Sequence, residues 1–382
     1  MKKLFALLSL IVLASCGEKG NSKKTESGNI LENLTYSVDT VVVDPGDELL
    51  SIESSSQLQG SSSLSQDQKL FYLFNNKDHS LAVVDLDQLK LLKVLPFEIE
   101  GPNGVGKYAQ GLQVLVDGNF LITTMQSSGI FNREGKKLKN YPLNESEFKG
   151  LKISSPFSSQ LLMTSDGKWL FSLTGFYDQG AKDLVKLDPI QKTGEAIDLP
   201  ALDMADEFGI SLLSNEGSMI YIDQSTIDDI NGKLYISNKV TSSIYSYDYQ
   251  IDSLQLITFQ HRLVANEKTG SVKNEVSSKD ELFEEMEKVT TQIGFEKLLW
   301  DKNRALFFRL GTKLIPSSKD ENNTYKFKVY LFAYDADLKL LGEKLLEDLT
   351  KSPKFYFFKD GKLWSYVNVD DELGFAVFNF DF

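Results

Sequence analysis

Apolar and polar positions along the chain repeat one small theme: a polar turn built on Asp, Asn or Lys, then a short strand rich in aromatic and branched residues. It reads SQDQKLFYLF around Asp67, LVDGNFLIT around Asp117, TSDGKWLFSL around Asp166, DINGKLYIS around Asn231, WDKNRALFF around Lys302 and FKDGKLWSYV around Asp360. Asp-Gly or Asn-Gly between two apolar runs is a strong local hairpin signal. Each hairpin continues into a strand ending on Asp, a polar turn and one more strand. SLAVVDLDQLKLLKVL and VYLFAYDADLKLLGEKLL align through Asp85 with Asp335 and Asp87 with Asp337. Four short strands per unit and six units predict an all-β, six-bladed β-propeller. The turns lie 50, 49, 65, 71 and 58 residues apart. A compact blade takes ~40–45 residues, so the pattern requires insertions.

The sixth unit stops early, supplying strands only over 362–368 and 374–381, while TYSVDTVVVD at 35–44 is a strand without a hairpin. Pairing the two predicts that the N-terminal strand closes the last blade, with Val38, Val41 and Val43 inside it. Insertions at 98–110, 144–159, 200–217, 261–294 and 312–324 all fall on the face that carries the b–c loops and the links between blades. Loops on a rigid scaffold are where binding residues gather. Within one insertion, Ser278 and Glu281 form a capping box ahead of a stripe of Leu282, Phe283, Met286, Val289 and Ile293, predicting a short amphipathic helix around 278–293. It either packs over the blades or binds a partner.

The N-terminus carries an address. Lys2 and Lys3 precede an apolar run, Leu4 to Leu13, that is too short to span a bilayer, and Leu13-Ala14-Ser15-Cys16 follows as a lipobox. It resembles the substrates of signal peptidase II; an ordinary secretory signal with an incidental cysteine is the alternative. The expected organisation is a signal peptide over 1–15, lipid attachment at Cys16, a flexible tether over 16–34 and the propeller over 35–382. Gly, Ser, Asn, Lys and Glu in the tether cannot bury enough surface to order it. Membrane contact is thus expected through the lipid alone, as an outer-membrane lipoprotein, periplasm-facing or surface-exposed.

Composition narrows the chemistry. The formal charge of −13 becomes −15 once Lys2 and Lys3 leave, and it is spread along the chain, which argues against nucleic acid as a partner. Cys16 is the only cysteine, so no disulfide is expected, and a chain with 41% hydrophobic residues has ample material for a core. The four arginines, at 133, 262, 304 and 309, are too scattered for a sialidase-type carboxylate clamp. Only His79 and His261 could serve a Ser-His-Asp triad, and no G-x-S-x-G elbow is present. No His/Cys cluster suggests zinc. Asp228-Asp229-Ile230-Asn231-Gly232 lacks the closing glutamate of a calcium loop, with Asn238 in its place, so it reads as a solvated turn. No catalytic residue, metal or cofactor is therefore expected. The candidate binding face comprises His79, Tyr108, Phe176, Tyr177, Asn238, His261 and Arg262, in loops on the elaborated side.

The lipobox, TYSVDTVVVD and the segment EIEGPNGVGKYAQGLQVLVDGNFLI, with its Gly101-Pro102-Asn103-Gly104 turn, together resemble the six-bladed propeller lipoproteins of Bacteroidota, a family whose domain has no known function. The resemblance implies a propeller in the cell envelope and brings no catalytic residues. The expected function is a non-enzymatic binding or scaffolding module for a peptide, glycan or envelope protein. The alternative is a hydrolase or lyase acting on glycans or peptides through carboxylates such as Asp78, Asp178 or Asp371.

Overall fold

The computed structural model describes residues 28–382 except 49, 51, 53–54, 125–126, 176–181, 215–216 and 321–323. The signal peptide, Cys16, most of the expected tether, Phe176, Tyr177 and Asp178 lie outside the described residues. Among the described residues no helix is long and apolar enough to cross a membrane.

The protein is all-β with few helices. Six four-stranded antiparallel sheets follow one another along the chain. The first holds Ser62–Leu64, Leu70–Asn75, Ser80–Asp85 and Lys90–Pro96, and the second Gly111–Val114, Phe120–Thr123, Ser127–Phe131 and Lys137–Pro142. The third holds Phe157–Met163, Leu170–Thr174, Asp183–Asp188 and Thr193–Asp198, and the fourth Thr226–Ile230, Lys233–Ser237, Ile244–Asp248 and Ser253–Ile257. The fifth is formed by Gly294–Asp301, Leu306–Lys319, Tyr325–Tyr334 and Leu340–Leu345. The sixth combines Lys354–Lys359, Lys362–Val369 and Glu372–Asp381 with Thr35–Val42 from the other end of the chain.

All six predicted turns join the first two strands of a sheet. Their chemistry is local: the Oδ1 atoms of Asp67, Asp117 and Asp166 each accept the backbone N–H two residues on, and Gly118 and Gly167 supply left-handed φ values of 79° and 69°. The 35–44 strand pairs as expected, from Thr35 opposite Asp381 to Val42 opposite Gly374. Its valines divide, because the strand is the sheet's outer edge: Val43 is buried and Val41 partly packed, whereas Val38 is 46% exposed. The expected tether stops short of residue 34. Asn29 Nδ2 donates to Glu343 O, its Oδ1 accepts Glu343 N–H, and Leu31 and Leu34 are buried beside the fifth sheet.

Apolar clusters fill the seams between sheets one and two, two and three, three and four, four and five, five and six, and six and one. Phe71, Phe120, Tyr235, Phe307 and Trp364, each on a second strand, belong to these seams. Polar side chains add ties across them. Gln113 pairs through both ends of its amide with the backbone of Met163, and Gln160 does the same with Ile227. Arg304 donates from the fifth sheet to Gly361 O and Phe380 O in the sixth.

One further small sheet arises from the insertions. Ile210–Ser214 pairs antiparallel with Gly217–Tyr221 and parallel with Glu275–Val276. The predicted helix is present as Lys279–Thr290, with Ser278 as N-cap accepting Glu281 N–H at 3.2 Å. Leu282 and Val289 pack on Phe208, Ile210 and Val240. The stripe is narrower than expected: Phe283 lies one residue round from Leu282, off the buried face, and is 56% exposed.

Candidate functional site

The first strands of all six sheets line one cavity of about 2650 Å³. Drug-sized pockets run to ~300–1000 Å³, so this space exceeds what one small molecule fills. Its wall mixes apolar side chains with hydroxyls and amides, Leu161, Leu298, Ser63 and Thr226 among them.

At the end of the cavity nearest the links between sheets, charged side chains converge from four places in the chain, and a phenol, Tyr356, from a fifth. Asp223 comes from the link entering the fourth sheet, Lys239 from the loop after its second strand, Lys268 from the long insertion, and Glu296 from the first strand of the fifth sheet. Lys268 is fixed by its own backbone, whose N–H donates to Val240 O at 2.8 Å. Lys239 Nζ donates to Glu296 Oε1 at 2.9 Å, and Tyr356 Oη donates to Glu296 Oε2 at 3.2 Å. Lys268 Nζ lies 3.4 Å from Asp223, whose other oxygen accepts Tyr221 Oη at 3.4 Å. Lys297 pairs with Asp228 at 3.3 Å.

Backbone irregularities accompany Glu296, Lys297 and Tyr356. The register of the fifth sheet shifts between Phe295 and Leu298, so Glu296 and Lys297 sit in a bulge, and the sixth sheet shifts between Lys354 and Tyr356. Phe355, in that second bulge, has a left-handed φ of 39°, a costly conformation for an aromatic residue. Bulges are over-represented beside functional sites, where they redirect side chains.

Burial and neighbouring charge set the protonation states. Burial pushes Tyr356 far above the usual phenol range and Glu296 adds to the effect, so its hydroxyl stays a donor. Tyr221 is raised by burial and by Asp223 in the same way. Burial works against the charge of Lys239, but Glu296, helped by Asp223, outweighs it and raises the ammonium above its ordinary value. Lys268 is lowered by burial, which Asp223 opposes and the charge of Lys239 reinforces. Beneath the cluster Arg309 is fully buried, donating to the carbonyls of Glu296, Ser242 (2.6 Å) and Asn238 (3.2 Å), and burial lowers it to about 10.

Among the described residues, the five expected to belong to a binding face do not come together. His79 is 9% exposed and its Nε2 meets Lys107 O at 3.0 Å, fixing the link between sheets one and two. Asn238 is buried, its Oδ1 accepting Val240 and Thr241 N–H to shape a turn; of the five described candidates it alone lines the cavity. His261 is buried between the rings of Phe295, Phe332 and Tyr334, bonded to Asn266 and to Tyr334 Oη. Burial pushes its pKa down, keeping the ring neutral. These three are interior ties, because polar loop backbone buried under an insertion needs side-chain partners. Arg262 is exposed while its N–H donates to Glu343, and Tyr108 is 58% exposed with Lys107 over its ring. Asp78 and Asp371 do not line the cavity. Among the described residues no group of three or more His, Cys, Asp or Glu is placed to hold a metal ion.

No curated protein matches the chain. The crystal structure of a DUF4221 family member from Bacteroides vulgatus is similar over 91% of this chain and 98% of that one, with a TM-score of 0.60 at 12% identity, a likeness of fold. An exported-protein candidate from Bacteroides fragilis (TM-score 0.46, 8% identity, 92% and 96% covered) and a hydrazine synthase from Kuenenia stuttgartiensis (0.43, 12%, 84% and 76%) are too distant to carry an argument. The model of a domain of unknown function, DUF4221, matches residues 27–345, and the chain belongs to that family.

Proposed function

We propose that this protein is a six-bladed β-propeller, anchored in the cell envelope by lipid on Cys16, that holds an extended polar ligand in its inner cavity without transforming it. The propeller reading is supported by six seams that run from each sheet to the next and from the sixth to the first, with Thr35–Val42 on the last edge. The observation that carries the binding reading is the cluster at the cavity end, where Asp223, Asp228 and Glu296 each face a lysine. A carboxyl acting as general acid must retain its proton, and an adjacent ammonium favours the opposite state. Paired charges and phenols, with Glu296 and Lys297 set into a backbone bulge, offer hydrogen bonds in fixed directions, which suits recognition.

Glycan and peptide arrays probed with the wild-type protein and Glu296→Ala test the reading. A ligand recovered unchanged, and bound more weakly by the variant, supports it; turnover of that ligand in mass spectra would replace it with the carboxylate hydrolase or lyase. The anchor is tested separately by metabolic labelling with an alkynyl fatty acid, which Cys16→Ser should abolish.

A further inference from the structure

Lys239 and Lys268 share one pair of carboxylates at the cavity end, yet their surroundings drive them in opposite directions. Burial opposes the charge of both. At Lys239 the Glu296 carboxylate overrides it and raises the group, whereas at Lys268 burial prevails over Asp223 and the charge of Lys239 adds to it, moving the nitrogen toward the free amine. Titratable neighbours pushed apart in this way divide the roles of acid and base, and a lysine both desolvated and set beside a second cation is an activated nucleophile. The nitrogen is also fixed in place. Its side chain is 3% exposed, and Nζ donates to Val289 O at 3.1 Å, in the last turn of the Lys279–Thr290 helix, and lies 3.4 Å from Asp223. Those two acceptors call on two N–H bonds, which a neutral amine has as an ammonium does. Room to react lies alongside. Lys268 and Gly294 both line the cavity, and a carbon at the Cβ position that Gly294 leaves empty would stand 3.8 Å from Nζ and 3.7 Å from Thr312 O.

We propose that Lys268 captures an aldehyde in the cavity as a reversible imine, with Asp223 relaying the protons. This goes beyond the binding reading above and rests on it only in taking the cavity as the place a ligand enters. The lone pair of Nζ attacks the carbonyl carbon, and the π electrons pass to the carbonyl oxygen. Asp223 takes one proton from the nitrogen and delivers it to that oxygen, forming the carbinolamine. It then moves the second nitrogen proton to the hydroxyl, which departs as water while the nitrogen lone pair closes the C=N bond. Tyr221, whose Oη donates to the other oxygen of Asp223 at 3.4 Å, orients the carboxylate through these transfers. Addition of water reverses each step and returns the ligand unchanged, in keeping with a protein that holds rather than transforms. An aldehyde, with hydrogen as one substituent on its carbonyl carbon, suits an amine this buried better than a ketone does.

The test uses the full chain, 4-pentynal as the aldehyde, sodium cyanoborohydride to reduce any imine to a stable amine, and peptide mass spectrometry to map the product. At pH 7 Lys268 should be modified on the order of tenfold faster than exposed lysines such as Lys93 and Lys152, since each unit of lowered pKa leaves tenfold more free amine. That preference should vanish in urea, where every lysine meets the same solvent. Lys268→Arg keeps a cation beside Asp223 and should lose the fast site alone. Lys239→Met should move the pH profile of Lys268 labelling upward, because the cation that disfavoured its ammonium is gone; a lysine serving only as an ion pair would show no such shift. An unmodified Lys268, labelling no faster than at the exposed lysines, a preference that survives urea, or an unmoved pH profile would each overturn the proposal. Array binding weakened by Glu296→Ala beside an inert Lys268 keeps the cavity reading and removes the imine; a selective Lys268 adduct with blank arrays does the reverse.

Discussion

Arg309 offers the sharpest check on how the site is built. Its guanidinium is fully buried, faces the Phe295 ring at 5.0 Å, and donates to three backbone carbonyls, two of them in the loop after the second strand of the fourth sheet. Replacing it with methionine keeps the volume and removes a buried cation, a relief. It also strips donors from three buried oxygens, at about 1–3 kcal/mol each. With the relief offsetting part of that cost, the net loss is about 3 kcal/mol. Unfolding entropy near ~2.1 cal/mol/K per residue across 382 residues converts this to a fall in Tm of roughly 4 °C. Arg309→Lys should do no better, since one ammonium cannot span three carbonyls and its smaller, more strongly hydrated charge is harder to bury. Scanning calorimetry at neutral pH reads both variants. A methionine variant melting within about 1 °C of wild type would show that the carbonyls find other partners and that Arg309 is no tie between the sheets.

Other outcomes follow from the same structure. Deleting residues 35–42 should leave the Gly374–Asp381 edge unpaired and lower the melting temperature sharply, and an unchanged transition would mean that the eight-residue pairing contributes nothing. Because burial depresses the pKa of His261, the unfolded chain takes up a proton near pH 6.5 that the fold resists; stability present above that value should drain away as pH falls below it. His261→Gln should flatten the slope of Tm between pH 7 and 5.5, and an equally steep slope in the variant would assign the effect elsewhere. Gly104→Ala would put a Cβ 2.7 Å from the backbone of Glu100, an overlap costing about 1–3 kcal/mol in chemical denaturation. Gln113→Ala should cost less, near ~1–2 kcal/mol, for the loss of two hydrogen bonds to Met163 between the second and third sheets.

Much of the architecture was legible because its signals are local. An Asp-Gly turn encodes its own hairpin through a side-chain oxygen and a left-handed glycine, so Asp117 and Asp166 announced their sheets without reference to the rest of the chain. The Ser278 cap did the same for its helix. The site was not legible for the complementary reason. Asp223, Lys239, Lys268 and Glu296 carry no shared motif, and only the folding of separate sheets and an insertion brings them together. Nor did polar loops reveal their burial: His261 looked available, but it packs against the rings of Phe295 and Phe332 from the fifth sheet. The short parallel pairing of Glu275–Val276 with the 210–214 strand likewise has no sequence cue at two residues.

The pairing of Thr35 with Asp381 has a consequence in time. During synthesis an early segment emerges long before its partner, so it must wait through most of translation with its hydrogen-bonding groups exposed to whatever is nearby. Completion of the molecule is therefore a late, long-range event, governed by the search of two distant ribbons for one another. Any trimming at 374–381 would strand residues 35–42 without a partner while leaving the intervening sheets largely formed.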